Sequence, residues 1–170
     1  MVGSLEFCTG KLGTRLIMVL GHTQCGAIAG ATATHQAGGD VRAPGCALEG
    51  LLQGLASVAK EASDDLGPGV SQEKLVSHAV KVNVYNSMNF LLQFSEPIRE
   101  LVRKGELDIQ GGIYHLETGR VEFLGRSPRH DELLSSKVTL PPSMAIGSFR
   151  TTEDGTLEPK VLIDSKNHVL

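Results

Sequence analysis

A short apolar run that ends at a glycine constrains this chain most. Residues 16–20 read Leu-Ile-Met-Val-Leu and stop at Gly21, with no polar residue among them. Such a run is typical of a strand covered on both faces of a parallel sheet. Residues 26–36, rich in alanine and glycine, then predict a helix that packs closely on that sheet. The segment predicts an α/β fold with a site at the carboxyl end of the strand, where open sheets of this class bind their ligands.

His22 and Cys25 follow the strand with two residues between them. Imidazole and thiolate at this spacing can reach one metal ion, and this pair of ligand types suits zinc. Zinc in proteins usually has three or four protein ligands, so the pair alone is half a site. On spacing alone the simpler alternative is favoured, in which His22 caps the following helix and Cys25 is a small buried residue.

Three blocks of the sequence carry a resemblance to a known family. The block Val-Leu-Gly-His-Thr-Gln-Cys-Gly-Ala at 19–27 resembles the second zinc motif of the β-class carbonic anhydrases. Leu-Glu-Phe at 5–7 resembles the helix that precedes this motif, and residues 107–123 resemble the last hairpin of the family. The blocks occur in the order of the family and together span about residues 4–124.

The resemblance implies an α/β fold with a partial parallel sheet, flanked by helices, and an antiparallel C-terminal edge strand. It also implies that His22 and Cys25 are zinc ligands and that the backbone N–H of Gly26 lies beside an anionic substrate. The first zinc motif of the family, Cys-x-Asp-x-Arg, does not occur in the 170 residues. The chain therefore resembles a carbonic anhydrase that lacks its amino-terminal part and half of its zinc site. No catalytic residue is assigned within it.

The function implied by the resemblance is reversible hydration of carbon dioxide to bicarbonate and a proton, with zinc as the cofactor. This reaction makes the family one of lyases, although the present chain by itself is expected to be inactive. An alternative is a non-catalytic carbonic-anhydrase-like protein that keeps the fold for binding or assembly. A third, less favoured hypothesis is a hydrolase of small carbon–sulfur substrates on the same scaffold.

The composition argues against several other classes of function. The formal net charge is −3 and aromatic residues make up 4% of the chain, so nucleic acid is not an expected partner. No apolar run reaches the length of a membrane span, so no membrane partner is expected either. The three cysteines are irregularly spaced, which favours a reducing compartment such as the cytoplasm or the plastid stroma. Residues 121–124 form a short apolar edge strand, and together with the resemblance they predict a homodimer or a higher homo-oligomer.

Apolar periodicity and turn residues predict the remaining elements. Helices are expected at 2–12, 46–63, 71–92 and 95–104, and a hairpin at 107–114 and 120–124. A carbonic-anhydrase-like domain is expected to cover 1–124. Residues 125–170 are polar and punctuated by proline, which predicts a C-terminal tail or linker with one strand-like run at 160–164.

The other cysteines and histidines have simpler interpretations. Cys8 lies on a short helix and is expected to be buried in the core. Cys46 follows a glycine-rich loop and is not expected to complete the zinc site. Four histidines fall on polar faces or in loops and are expected to be solvated: His35, His78, His130 and His168.

Overall fold

The computed structural model describes residues 2–38, 46–136, 149–151 and 157–159. The chain divides into two compact units, Met1–Ser136 and Lys137–Leu170. In chain order, the described elements of the first unit are α1 (Val2–Gly10), β1 (Leu16–His22), α2 (Gly26–Gln36), α3 (Ala47–Gly54), α4 (Ala56–Leu66), α5 (Gln72–Phe94), α6 (Glu96–Arg103), β2 (Asp108–His115), β3 (Arg120–Gly125) and α7 (His130–Ser135). In the second unit, β4 (Phe149–Thr151) pairs antiparallel with β5 (Leu157–Pro159). No helix within the described ranges is both long and apolar enough to cross a bilayer.

The sheet of the first unit has the strand order β1-β2-β3. β1 and β2 are parallel, and their register runs from Leu16 opposite Asp108 to His22 opposite Tyr114. β3 returns antiparallel beside β2, with one irregularity in the register. A parallel pair with an antiparallel third strand confirms the fold class predicted from the sequence.

The long helix α5 covers one face of this sheet. It begins after Ser71, whose hydroxyl accepts a hydrogen bond from the backbone N–H of Lys74 and so satisfies an otherwise free amide at the helix start. Glycine in β1 lets the helix approach closely. A Cβ atom at Gly21 would lie 2.8 Å from Val84 and 2.9 Å from Val80, closer than real Cβ atoms come to other atoms. Position 21 therefore has to be glycine for α5 to pack undisturbed on the end of β1.

The opposite face of the sheet carries exposed apolar side chains. Leu16 and Leu20 of β1 are 50% and 52% exposed, and Phe123 of β3 is 72% exposed. The prediction that residues 16–20 are buried on both faces is therefore wrong, since only Ile17 of that run is buried. The physical reason is that α5 packs on one side of the sheet, while no element within the described ranges covers the side of Leu20 and Phe123.

The apolar period at 46–63 predicts one helix, but the structure has two. α3 ends at Gly54 and α4 begins at Ala56, with Leu55 between them at φ −101° and ψ 0°. Glycine is a weak helix former, because its backbone loses the most entropy on ordering, and Gly54 lies at the break. The apolar positions on the two sides keep a single period, so the pattern alone does not reveal the interruption.

Residues 126–136 belong to the first unit, although the sequence predicts a tail or linker from residue 125. The hydroxyl of Ser127 donates to the side-chain oxygen of Asn89 on α5 at 2.6 Å. His130 is buried where α7 contacts α5, so the expectation that it is solvated is wrong. The first unit thus extends past the boundary predicted at residue 124.

Two other histidines are also less solvated than expected. His78 on α5 has its Nε2 at 2.8 Å from a carboxylate oxygen of Asp65 on α4, and its side chain is 32% exposed. His35 on α2 is half-buried. His168 and the strand-like run at 160–164 lie outside the described residues.

Candidate metal centre

The two candidate ligands lie at the carboxyl end of β1. His22 is the last residue of the strand, and Cys25 is the N-cap residue of α2. Thr23 and Gln24 form the connection between them. Both side chains thus occupy the end of a parallel strand at which open α/β sheets present their ligand-binding residues.

The imidazole of His22 has one ring nitrogen in a hydrogen bond and the other available. Its Nδ1 lies 2.9 Å from the backbone oxygen of Thr23. A carbonyl oxygen can only accept, so Nδ1 carries the proton in this bond and the neutral ring keeps its lone pair on Nε2. The side chain is exposed. Nε2 can therefore bind a metal ion, and a backbone carbonyl on the other ring nitrogen is a common way to orient a metal-binding histidine.

Cys25 is held differently, by packing. It is half-buried and packs against the hydrophobic core, and its thiol makes no hydrogen bond that caps α2. His22 and Cys25 together supply two donor types that zinc prefers, an imidazole nitrogen and a cysteine sulfur.

Gly26 is the first residue of α2. The N–H groups in the first turn of a helix have no acceptor within the helix. A Cβ atom added at Gly26 would meet no other atom within 4 Å. The space beside this backbone is therefore open, as a small anion at a helix start requires, and packing does not demand glycine here.

The connection between the candidate ligands is bonded to the β2–β3 hairpin. The backbone N–H of Thr23 donates to the oxygen of Tyr114 at 3.0 Å, and its hydroxyl accepts from the backbone N–H of Leu116 at 3.0 Å. The carboxylate of Glu117 accepts from Thr23 Oγ1 at 3.3 Å and from Gln24 Nε2 at 2.5 Å. Gln24 has φ +58°, the left-handed conformation that residues other than glycine rarely adopt.

Glu117 is a contact of this loop that sequence reasoning missed. A hydrogen bond from its own backbone amide, together with those from Gln24 and Thr23, lowers the pKa of Glu117 below its ordinary value. The side chain is therefore an anion at neutral pH and a strong acceptor for both loop residues. No spacing rule connects residue 117 to residue 24. Only the parallel pairing of β1 with β2 brings the hairpin turn beside the loop.

Charged side chains line an open cleft of about 400 Å³ on the α5 side of the sheet. Lys81 on α5 donates to Glu122 on β3 at 3.0 Å, and this bond lowers the pKa of Glu122. Nε2 of His115 lies 3.3 Å from the other oxygen of Glu122. The candidate ligands are not among the described residues that line the cleft. Lys81, His115 and Glu122 pair with one another. The cleft is also lined by Thr23, Gln24 and Glu117, so it adjoins the loop between the candidate ligands.

A third metal ligand is not found in the part of the chain that the structure describes. No group of three or more His, Cys, Asp or Glu side chains there could hold a metal ion. Cys46 is the exposed N-cap residue of α3, and Cys8 lies half-buried on α1, so neither completes a three-ligand group with His22 and Cys25. The donor chemistry of the pair fits zinc, but the described residues supply only half of a coordination shell.

Comparison with known proteins connects this geometry to a family. The family model described as carbonic anhydrase matches residues 1–121. Carbonic anhydrase 2 of Mycobacterium tuberculosis is 31% identical over 120 residues, which cover 71% of this chain and 54% of that protein. The chain thus spans about half the length of the curated relatives it matches.

Solved structures share the fold. The β-carbonic anhydrase CafA of Aspergillus fumigatus superposes with a TM-score of 0.63 at 23% identity, over 78% of this chain and 58% of that one. One of the tetrameric β-carbonic anhydrases of Sordaria macrospora gives a TM-score of 0.58 at 24% identity, over 72% of this chain and 58% of its own. Matched by the family model, by the mycobacterial sequence and by the fold, the chain belongs to the carbonic anhydrase family, in its β class.

Proposed function

We propose that this protein takes part in the reversible hydration of carbon dioxide to bicarbonate and a proton, as a zinc-dependent lyase. In this proposal the Nε2 atom of His22 and the thiolate of Cys25 are two of the zinc ligands. The family of the chain supports the reaction. The observation that carries the ligand assignment is the hydrogen bond from His22 Nδ1 to the carbonyl of Thr23, because it leaves Nε2 as the lone-pair nitrogen at the strand end that leads to Cys25.

The residues of this chain have two tasks in the proposed reaction. Zinc, when bound, supplies the Lewis acidity that makes hydroxide available near neutral pH. His22 and Cys25 hold the ion. The backbone N–H of Gly26 donates to the anion that forms from carbon dioxide, and the positive end of the α2 dipole favours that negative charge.

The remaining ligands are proposed to come from outside these 170 residues. The sequence contains no Cys-x-Asp-x-Arg motif, and the described residues supply no third ligand. With two protein ligands a zinc ion keeps its waters, and most of the free energy that a full site would provide is absent. We therefore expect this chain alone to retain well under one zinc after dialysis and to hydrate carbon dioxide no faster than the buffer does.

Zinc content and hydration rate test the proposal together. His22→Ala and Cys25→Ser should remove the zinc that survives dialysis, as measured by atomic emission. The matched controls His35→Ala, near the end of α2, and Cys46→Ser, at the start of α3, should leave it unchanged. A fusion that places the Cys-x-Asp-x-Arg segment of a relative before this chain should bind one zinc and hydrate carbon dioxide in stopped-flow assays. In the fusion, Cys25→Ser should abolish both properties.

Two results would contradict the proposal. Zinc that survives in both His22→Ala and Cys25→Ser would refute the ligand assignment. Hydration by the unfused chain, abolished by Cys25→Ser, would refute the inference that ligands are supplied from elsewhere.

A second candidate is a non-catalytic carbonic-anhydrase-like protein that uses the fold for binding or assembly. It is favoured by one observation, the lack of a third metal ligand among the described residues. The fusion separates the two candidates. A fused chain that folds and binds zinc, yet does not hydrate carbon dioxide, would support the non-catalytic role.

We also infer that the protein forms a homodimer or a higher homo-oligomer. The solved structures from Sordaria macrospora are described as tetrameric. In this chain Leu16, Leu20 and Phe123 are exposed on one face of the sheet. Contiguous exposed apolar surface marks sites of protein interaction, and a second copy offers a surface of the same apolar chemistry.

A further inference from the structure

The loop between the candidate ligands is anchored at one residue, Thr23. Its backbone N–H donates to the oxygen of Tyr114 at 3.0 Å, and its hydroxyl accepts from the N–H of Leu116 at 3.0 Å. The same hydroxyl donates to Glu117 at 3.3 Å. Its carbonyl accepts from Nδ1 of His22 at 2.9 Å. Thr23 thus links the β2–β3 hairpin to the imidazole of a candidate ligand.

Gln24, the other residue of the loop, has a backbone conformation that its surroundings must enforce. Its φ of +58° brings the Cβ atom of an L residue close to the following carbonyl oxygen. Residues in such conformations persist where neighbouring structure over-determines them. The side-chain amide of Gln24 donates to Glu117 Oε1 at 2.5 Å, while Thr23 binds the other oxygen. One carboxylate therefore holds both residues of the loop.

We propose that Glu117 is a positioning residue for the metal centre, and that its carboxylate, by binding Thr23 and Gln24 at once, sets the orientation of His22 and its spacing from Cys25. The inference rests on the proposed function, because it takes these two side chains as metal ligands. Glu117 acts through Thr23, whose carbonyl orients the imidazole. Removing a partner that orients a metal ligand typically weakens metal affinity by about 10- to 100-fold. Glu117 is exposed and one residue further out, so the expected effect lies at the lower end of this range.

Both oxygens of the carboxylate are needed for this role. The carboxylate of Glu117 accepts one hydrogen bond on each oxygen, one from Thr23 and one from Gln24. In Glu117→Gln only one oxygen remains, and the new amide N–H₂ faces a donor. Glu117→Gln should therefore preserve one of the two bonds and keep part of the affinity, whereas Glu117→Ala loses both.

The test measures zinc affinity of the full chain by isothermal titration calorimetry. Glu117→Ala should raise the Kd for Zn²⁺ about tenfold, and Glu117→Gln should raise it less. The matched control is Glu122→Gln, on the same hairpin, whose carboxylate binds Lys81 and His115 instead. It should leave the Kd at the wild-type value.

A second readout needs no metal. In ¹H–¹⁵N NMR spectra of the metal-free chain, His22 should be in the Nδ1–H form in the wild type and in Glu122→Gln. In Glu117→Ala the ring should become a mixture of the two tautomers. A role of Glu117 limited to the stability of the hairpin would lower the melting temperature without changing this tautomer.

Thr23→Val tests the contact between Thr23 and Glu117 independently, from the side of Thr23. It removes the hydroxyl, with its bonds to Glu117 and from the N–H of Leu116, but keeps the side-chain shape and the bond from the Thr23 N–H to Tyr114. It therefore serves if Glu117→Ala does not fold. Because the two residues act through one hydrogen bond, Thr23→Val combined with Glu117→Ala should weaken zinc binding by less than the product of the single effects.

Each outcome decides a different point. If wild type and Glu117→Ala bind zinc equally and His22 keeps its tautomer, the positioning role is overturned and the proposed function stands. If the wild type binds no zinc even in the fusion that carries the Cys-x-Asp-x-Arg segment, the proposed function is contradicted instead. In that case a change of the His22 tautomer in Glu117→Ala supports the claim that Glu117 orients His22 through the loop. An unchanged tautomer overturns that claim.

Discussion

At the level of single residues, the two candidate ligands depend on different forces. His22 is exposed, and its orientation relies on one hydrogen bond to a backbone carbonyl. Cys25 is half-buried against the core, so packing holds it. A hydrogen bond at an exposed position contributes only about 0.5–1.5 kcal/mol net. Loosening the loop should therefore disturb His22 before Cys25.

A buried histidine in the same unit makes stability depend on pH. Burial lowers the pKa of His130 below its ordinary value of about 6.5, and Arg126 lowers it further, against the opposing effects of Asp131 and Asp108. The folded chain therefore binds a proton here less readily than the unfolded chain. The free energy of unfolding keeps its full value above about pH 6.5 and decreases as the pH falls through that value. We expect His130→Gln to flatten this dependence between about pH 7 and pH 5.

Urea titrations at several pH values measure this effect. Ser135→Ala, on the same short helix, removes no titrating group and should keep the wild-type slope. Ordinary carboxyl groups titrate near pH 4, below this window, and the other five histidines are common to wild type and variant, so the difference between their slopes isolates His130. Identical slopes for wild type and His130→Gln would contradict the prediction.

The sequence indicated the two candidate ligands but not their surroundings. His22 and Cys25 stand out because a strand, a glycine and a helix start follow one another within a few residues. The role of Glu117 depends on the pairing of β1 with β2, which brings together positions more than ninety residues apart. The burial of His130 likewise depends on a contact between α7 and α5. Local patterns carry no record of such long-range contacts.

At the level of elements, the packing of α5 on β1 depends on the missing side chain at Gly21. Gly21→Ala would place a Cβ atom 2.8 Å from Val84 and 2.9 Å from Val80. Two branched side chains on one helix cannot both move away without shifting α5. We expect the substitution to lower the free energy of unfolding by roughly 1–3 kcal/mol, as overpacking of a core does. Chemical denaturation measures the loss.

Gly26→Ala is the matched control for this prediction. It lies a few residues along the chain, and its added Cβ atom would meet nothing within 4 Å. Alanine is also favoured over glycine within a helix, by up to about 1 kcal/mol. The control should be as stable as the wild type or more so. Equal stability of Gly21→Ala and Gly26→Ala would show that α5 does not pack closely enough on β1 to require glycine at position 21.

Among the helices, length decided what could be predicted. α5 was predicted nearly to its ends, because its apolar stripe persists over 23 residues and serines mark both boundaries. α7 has six residues, less than two turns, which is too short for a periodic pattern. The break at Leu55 was missed because the apolar residues of α3 and α4 keep one period across it.

At the level of the first unit, the sheet has one covered face and one open face. Fully burying a leucine or phenylalanine side chain contributes roughly 1.5–3 kcal/mol, and Leu16, Leu20 and Phe123 are half-exposed or more. Association itself costs about 4–15 kcal/mol. These side chains alone therefore support only weak association. Within the described residues, β1 and β3 each pair on one side only, and their outer edges can add backbone hydrogen bonds to a contact with another chain.

Because the free energy of burying these side chains is small against the cost of association, we expect self-association that depends on concentration. In sedimentation velocity across the micromolar range, the weight-average sedimentation coefficient of the wild type should rise with concentration. Leu20→Lys combined with Phe123→Lys places two charges on the open face and should keep the chain monomeric, with an unchanged circular dichroism spectrum because both positions are exposed. Leu48→Lys changes a leucine on α3 whose exposure lies between those of Leu20 and Phe123, and it should leave the association intact. A wild type that stays monomeric throughout, or a double variant that associates as the wild type does, would show that the open face is not the contact surface.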